Sequence, residues 1–148
     1  MSRMKEIVAK IIDKYGTNDP FEIGKARSIE FVFAELGSTF GFYSSYRRIQ
    51  FIHINNKLEK TIQRFVCAHE LGHAILHQDI NTPFLKAHTF FSQEKIEVEA
   101  NTFAVELLMT DDAIYEYKDM CLSINKLAEI YGIPREVIHL KTFSNKFF

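Results

Sequence analysis

Cys67-Ala68-His69-Glu70-Leu71-Gly72-His73 is the stretch on which the fold turns, because it places the pattern HExxH inside a run with helical spacing. Two imidazoles four residues apart fall on one helical face, about 6 Å apart along the axis at ~1.5 Å rise per residue. That spacing suits two ligands of one zinc ion. The Glu after the first His then lies beside the metal, where it can take a proton from a polarised water. The chemistry to which such a pattern points is hydrolysis of a peptide bond.

Outward from this stretch, Glu59 to His77 reads as one helix, ended by Asn81-Thr82-Pro83. Upstream, Ile29, Phe31 and Phe33 alternate as a strand, Thr39 to Tyr43 reads as a second, and Arg48 to Asn55 as a third. Together they predict a small antiparallel sheet. Ile7, Val8, Ile11, Ile12 and Tyr15 recur with helical spacing before Gly16 and Asn18-Asp19-Pro20 stop them, and a short helical turn follows from Pro20 to Lys25. Downstream, a helix begins after Ser92 as N-cap, with Ile96, Ala100, Phe103, Ala104, Leu107 and Leu108 as its apolar stripe. Thr110 caps a segment running to about Lys118, and Ser123 to Tyr131 and Pro134 to Thr142 close the chain. No repeat or low-complexity linker divides these elements. The expectation is a single α+β domain over 1–148, zincin-like, with HExxH on an internal helix and a helical hairpin at about 123–142 packed on the body.

The 148 residues are 47% hydrophobic with a formal net charge of −1, enough for one core and without the charge imbalance that marks nucleic-acid or anionic-membrane partners. Cys67 and Cys121 are too few for a disulfide framework, and no apolar run approaches the ~20 residues that span a bilayer. A cytoplasmic setting is expected, with no membrane association. Cys67 lies two residues from His69, faces elsewhere on the helix, and is read as core.

A catalytic zinc needs a third protein ligand and an open fourth position. A third His six residues past His73 is missing, since Asp79 stands there and Leu76 stands where the accompanying Gly would be. On the following helix Glu97 and Glu99 compete. At ~100° per residue Glu97 falls within the apolar stripe, whereas Glu99 falls beside Thr102 and Glu106 on the polar flank. An unpaired carboxylate facing inward would be costly, so Glu97 is the expected third ligand. Asn101, one turn on, is placed to hydrogen-bond and orient a ligating side chain. The small Ala100 and Ala104 let the two helices approach closely. His77 continues the His69 and His73 face; it is read as pairing with helix-end carbonyls, with a fourth ligand as the alternative.

Gln63-Arg64-Phe65 through His69-Glu70-Leu71-Gly72-His73 to Leu76-His77, then Glu97 to Ala104 and Leu107-Leu108-Met109, looks like the ImmA/IrrE family of bacterial zinc metallo-endopeptidases. The similarity extends to Asp19-Pro20-Phe21-Glu22-Ile23 and Gly41-Phe42-Tyr43, and departs at Thr110, where the family often has Pro. The resemblance implies one zinc held by His69, His73 and Glu97, with Glu70 as general base. It further implies a protein substrate, a helix-turn-helix repressor of a prophage or integrative element, whose cleavage derepresses the element. Tyr46, His53, His88 and His139 are the available second electrophiles, and sequence does not choose among them.

Two alternatives come from the residues. Leu127-Ala128 followed by Tyr131-Gly132-Ile133 and a second short segment resembles a helix-turn-helix, but Arg135, His139 and Lys141 make a thin basic surface, and direct DNA binding is not expected. The other is a zinc-peptidase fold serving as a binding module without turnover, against which the intact set of catalytic groups argues. Phe143, Phe147 and Phe148 are expected to dock on the body.

Overall fold

The computed structural model describes residues 2–142, so the terminal Phe143, Phe147 and Phe148 lie outside the described residues. Helix α1 (Arg3–Tyr15) is capped by Ser2, whose hydroxyl accepts from the Lys5 N–H, and ends at Gly16 in the left-handed conformation. Asp19 caps α2 (Pro20–Ala26) by accepting from the Phe21 N–H, with Pro20 in the first turn. Strands β1 (Glu30–Ala34), β2 (Gly41–Tyr46) and β3 (Ile49–Asn55) follow. Then come α3 (Lys60–Leu76), which carries HExxH, α4 (Lys95–Leu108), α5 (Asp111–Glu116) and α6 (Ile124–Ile130), with short 3-10 helices at Ala87–Phe91 and Arg135–Leu140.

The sheet has the three expected strands but is mixed rather than antiparallel, in the order β1-β3-β2. β2 and β3 form an antiparallel hairpin closed between Tyr46 and Ile49, with Arg47 and Arg48 both at positive φ as a two-residue primed turn requires. β1 pairs with the other edge of β3 in parallel, Glu30 opposite Phe51 and Ala34 opposite Asn55. The physical reason is the 35–40 connection, which crosses the end of β3 instead of turning back beside β1. Asn55 holds that crossing by donating from Nδ2 to the carbonyls of Gly37 and Thr39 at 3.1 and 3.0 Å. Alternation along a strand reports its faces and is silent about its edge partners.

Ile52 and Ile54 point into the core, where α3 is buried continuously from Phe65 to Ala74 between the sheet and α4. Two glycines set these approaches. A Cβ on Gly41 would lie 2.5 Å from Val66 Cγ1 and 2.6 Å from the His53 carbonyl oxygen, so β2 presses on α3 only without a side chain there. A Cβ on Gly72 would lie 3.1 Å from the Phe103 ring, which is how α4 seats against the metal-motif helix. Phe65, Leu71, Phe103 and Leu107 are fully buried at this junction, each contributing about 1.5–3 kcal/mol. Cys67 is buried and free, and burial pushes its thiol well above the usual range.

α4 starts two residues later than the sequence suggests. Ser92 instead ends the 3-10 helix, and its hydroxyl accepts from the Glu94 N–H, a local turn competing with the cap. Thr110 caps α5, accepting from the Ala113 N–H at 3.1 Å. The segment after α6 expected as a second helical limb is the 3-10 helix Arg135–Leu140, with Val137 and Ile138 buried. Among the described residues no helix is long and apolar enough to cross a membrane.

The ends of the described chain meet on α4. Glu106 accepts from Lys5 Nζ at 3.2 Å, from Lys141 Nζ at 2.5 Å and from the Thr142 N–H at 3.2 Å, while Asp111 accepts from both lysines. The Lys141 side chain is fully buried, and burial lowers its pKa against the pull of Glu106 and Asp111. Removing the Glu106 carboxylate leaves the buried ammonium with Asp111 as its remaining anionic partner. Glu106→Ala is therefore expected to destabilise the fold by about 1.5–3 kcal/mol, to be read from urea unfolding; a loss within ~0.5 kcal/mol, ordinary for a surface change, would contradict the clasp.

Candidate metal centre

His69 and His73 stand one turn apart on α3 with ring centroids 4.8 Å apart and planes at 86°. Glu97, in the first turn of α4, inserts its carboxylate against both rings: Oε1 lies 2.8 Å from His73 Nε2 and Oε2 3.5 Å from His69 Nε2. Glu70 completes the group, one oxygen lying with the two imidazoles inside a cluster whose ligand atoms are all within 4.8 Å of one another. All four residues are at most 1% exposed.

Close as these atoms are, they do not satisfy one another. Eight buried side-chain polar atoms among the described residues lack a hydrogen-bond partner, and six belong here: His69 Nε2, His73 Nε2 and both oxygens of Glu70 and Glu97. Buried polar atoms are nearly always partnered, so a convergent set of orphans calls for a missing species. Lone pairs of two imidazole nitrogens and a carboxylate aimed at one point fit a divalent transition metal.

The two carboxylates are held in opposite states. Burial raises the pKa of Glu70 to about 8, the Glu97 charge adding to the rise and His73 opposing it. Burial acts upward on Glu97 too, but the close approach and charge of the His69 and His73 rings overcome it and hold that carboxyl at about 2. Neighbouring acids whose proton affinities diverge this far are suited to separate tasks.

From behind, His69 Nδ1–H donates to Asn101 Oδ1 at 2.8 Å. His73 Nδ1 faces His77 Nδ1 at 3.0 Å, and His77 Nε2 lies 3.1 Å from Glu99 Oε1. His77 thus corrects both sequence readings: its ring neither joins the donor cluster nor pairs with helix-end carbonyls, but lies between a site imidazole and Glu99. Its backbone N–H alone makes the helix-end bond, to the His73 carbonyl at 2.8 Å. Sequence reasoning missed Glu99 in this place. The available signal was its spacing two residues from Glu97, with His77 one turn past His73.

The family model for peptidase M78, the IrrE N-terminal-like domain, matches residues 25–143. The chain belongs to the peptidase M78 family. Among its relatives, an uncharacterized immunity region protein 2 of Bacillus phage phi105 is 43% identical over 95% of this chain and 90% of its own length. Metallopeptidase ImmA of Bacillus subtilis (strain 168) is 31% identical over 98% of this chain and 90% of its own length. Membership in this metallopeptidase family implies a metal, in keeping with the orphaned donors.

In this M78 fold the four further candidates are scattered. His53 lies on the sheet face opposite Ile52 and Ile54, stacked on Phe42 at 4.1 Å with Nε2 3.4 Å from Ser44 Oγ, and burial lowers its pKa. Tyr46 is 65% exposed at the β2–β3 turn, beside Arg47. His88 is exposed on the 3-10 helix after α3. His139 borders a cavity of about 400 Å³ that Asn101, Phe90 and Val98 also line.

Donors that converge only in the folded chain tie metal occupancy to stability. Chelator treatment is expected to lower the thermal midpoint of metal-loaded protein by about 10 °C, with recovery on adding one equivalent of metal. An unmoved midpoint in a scan that confirms metal loss by emission spectroscopy would contradict a buried metal centre.

Proposed function

We propose that this chain is a zinc-dependent endopeptidase acting in the bacterial cytoplasm, with residues 1–148 working as one metallopeptidase domain. The observation that carries the reading is the buried convergence of His69 Nε2, His73 Nε2 and the Glu97 carboxylate, orphaned toward one point, with a second orphaned carboxylate, Glu70, beside it. In this reading His69, His73 and Glu97 hold one zinc, Glu70 is the general acid and base, and Asn101 orients His69. Nitrogen and carboxylate donors in a three-ligand set favour zinc with a position left open. Bound there, zinc supplies a Lewis acid that polarises water and the scissile carbonyl.

The protein's own part is proton traffic and orientation. Glu70 accepts a proton from the attacking water on a carboxylate oxygen, and returns it to the amide nitrogen as the C–N bond breaks. Burial raises its proton affinity, which favours its holding the proton between the two halves of that cycle. Glu97, held strongly acidic, stays ionised throughout. Seclusion from bulk water strengthens each of these interactions.

For the substrate, the relative named as a phage immunity region protein and the relative named metallopeptidase ImmA support a regulatory protein of a mobile element. We take it to be a helix-turn-helix repressor, cleaved so that the element is derepressed. The tightly wound 135–140 segment supports assigning this chain no direct contact with DNA.

The test pairs the purified chain with the repressor encoded beside its gene, read by intact mass. Glu70→Gln is expected to keep one zinc per chain and lose about 10²–10⁴-fold in cleavage rate. Glu97→Ala is expected to lose both metal and cleavage. Zinc-loaded protein that leaves every neighbouring regulator intact would turn the reading to a binding module.

A further inference from the structure

The two imidazoles of the centre are braced differently. Asn101 meets His69 directly and ends the contact there. His73 meets a second imidazole, and that one meets a carboxylate whose side chain is 37% exposed. With a metal taking the His73 Nε2 lone pair, the proton arrangement along this path is fixed. A ring whose Nε2 lone pair faces the donor cluster carries its proton on Nδ1, so His73 donates and His77 Nδ1 accepts. Neutral His77 then carries its own proton on Nε2, which donates to Glu99 Oε1. The chain runs in one direction, from His73 through His77 to Glu99.

The surroundings hold His77 for this task. Its ring is buried, and its backbone stands at the end of α3, where the sheet clamps the residues on either side. Gln50 Nε2 donates to the Ala74 carbonyl at 2.9 Å and to Tyr43 Oη at 3.0 Å, and Tyr43 Oη–H donates to the Gln78 carbonyl at 2.9 Å. Glu99 comes from α4, the helix that also supplies Glu97 and Asn101. One helix therefore contributes a group to the front of the cluster and a brace to each imidazole behind it.

We propose that His77 and Glu99 are positioning residues for His73, a two-step relay that fixes its tautomer and ring plane and raises its basicity toward the metal. The inference rests on the metal reading of the cluster. Groups that brace a metal-ligating His in this way are worth about 10–100-fold in metal affinity. Neither residue touches the reacting atoms.

The experiment titrates Zn²⁺ into the metal-free full chain against a chromophoric chelator. His77→Phe, which keeps a ring and removes the acceptor, is expected to weaken zinc binding by about 10–100-fold. Glu99→Ala weakens it toward the lower end of that range, and Glu99→Gln, which keeps an oxygen acceptor, restores it. Because Glu99 acts only through His77, the double variant His77→Phe with Glu99→Ala binds no more weakly than His77→Phe alone. A measurement on the unsubstituted protein stands apart from any folding defect: long-range ¹H–¹⁵N spectra of the zinc-loaded chain are expected to show His77 protonated on Nε2 only. His77 protonated on Nδ1, or Glu99→Ala binding zinc as tightly as the parent, overturns the relay while leaving the metal centre standing. A parent chain that binds no zinc removes both.

Discussion

A buried carboxylate wedged between two imidazoles is the constraint around which this chain is built. Glu97 is almost wholly buried, and its oxygens face ring nitrogens without hydrogen-bond geometry. A metal-free fold carries this as an unfavourable term, the cost of several unpaired polar atoms, and holds it because α3 and α4 are pressed together elsewhere. The missing Cβ at Gly72, the Phe103 ring over it and the small Ala100 and Ala104 set that distance. Packing energy is spent where the helices touch so that chemistry can be presented where they diverge.

The remaining elements fix the direction of α4. Its far end is tied by Glu106 to Lys5 on α1 and to Lys141 near the end of the described chain, so segments from both ends of the described residues brace the helix that supplies Glu97. The sheet does the corresponding work for α3. Gly41 lets β2 lie on Val66, and the Gln50 and Tyr43 contacts hold the helix end by Ala74 and Gln78. A rotation of either helix by a fraction of a turn would carry its donors off the common point.

Periodicity made much of this legible. Four-residue spacing placed His69 and His73 together, and helical phase turned Glu97 inward and put Asn101 one turn behind it, where the structure brings all of them together with Glu70. What escaped is what periodicity does not encode. The parallel pairing of β1 with β3 depends on a connection held by Asn55, and strand alternation carries no edge information. Glu106 and Lys141 look like surface charges until tertiary packing buries them as partners. His77 sits at a helix end, where the general preference for helix-end carbonyls misled because a carboxylate from another helix was in reach. Ser92 was a good cap by type, yet its hydroxyl closes a turn outside the helix.

Glu97, Glu99 and Asn101 are spaced at two-residue steps along one helical turn, and that spacing explains why one helix can serve both sides of the cluster. Residues 97 and 101 share a face, so the group that meets the imidazoles from the front and the amide that steadies His69 from behind are stacked along the axis. Residue 99 is about 200° round from 97, and its carboxylate meets the His77 ring at the end of α3. From there it reaches His73 only through an intermediary, and His77, one turn past His73 on the same face, supplies one. An asymmetric pair of braces is therefore what two crossing helices permit: one imidazole lies within reach of an amide, and the other needs a second ring to reach its carboxylate.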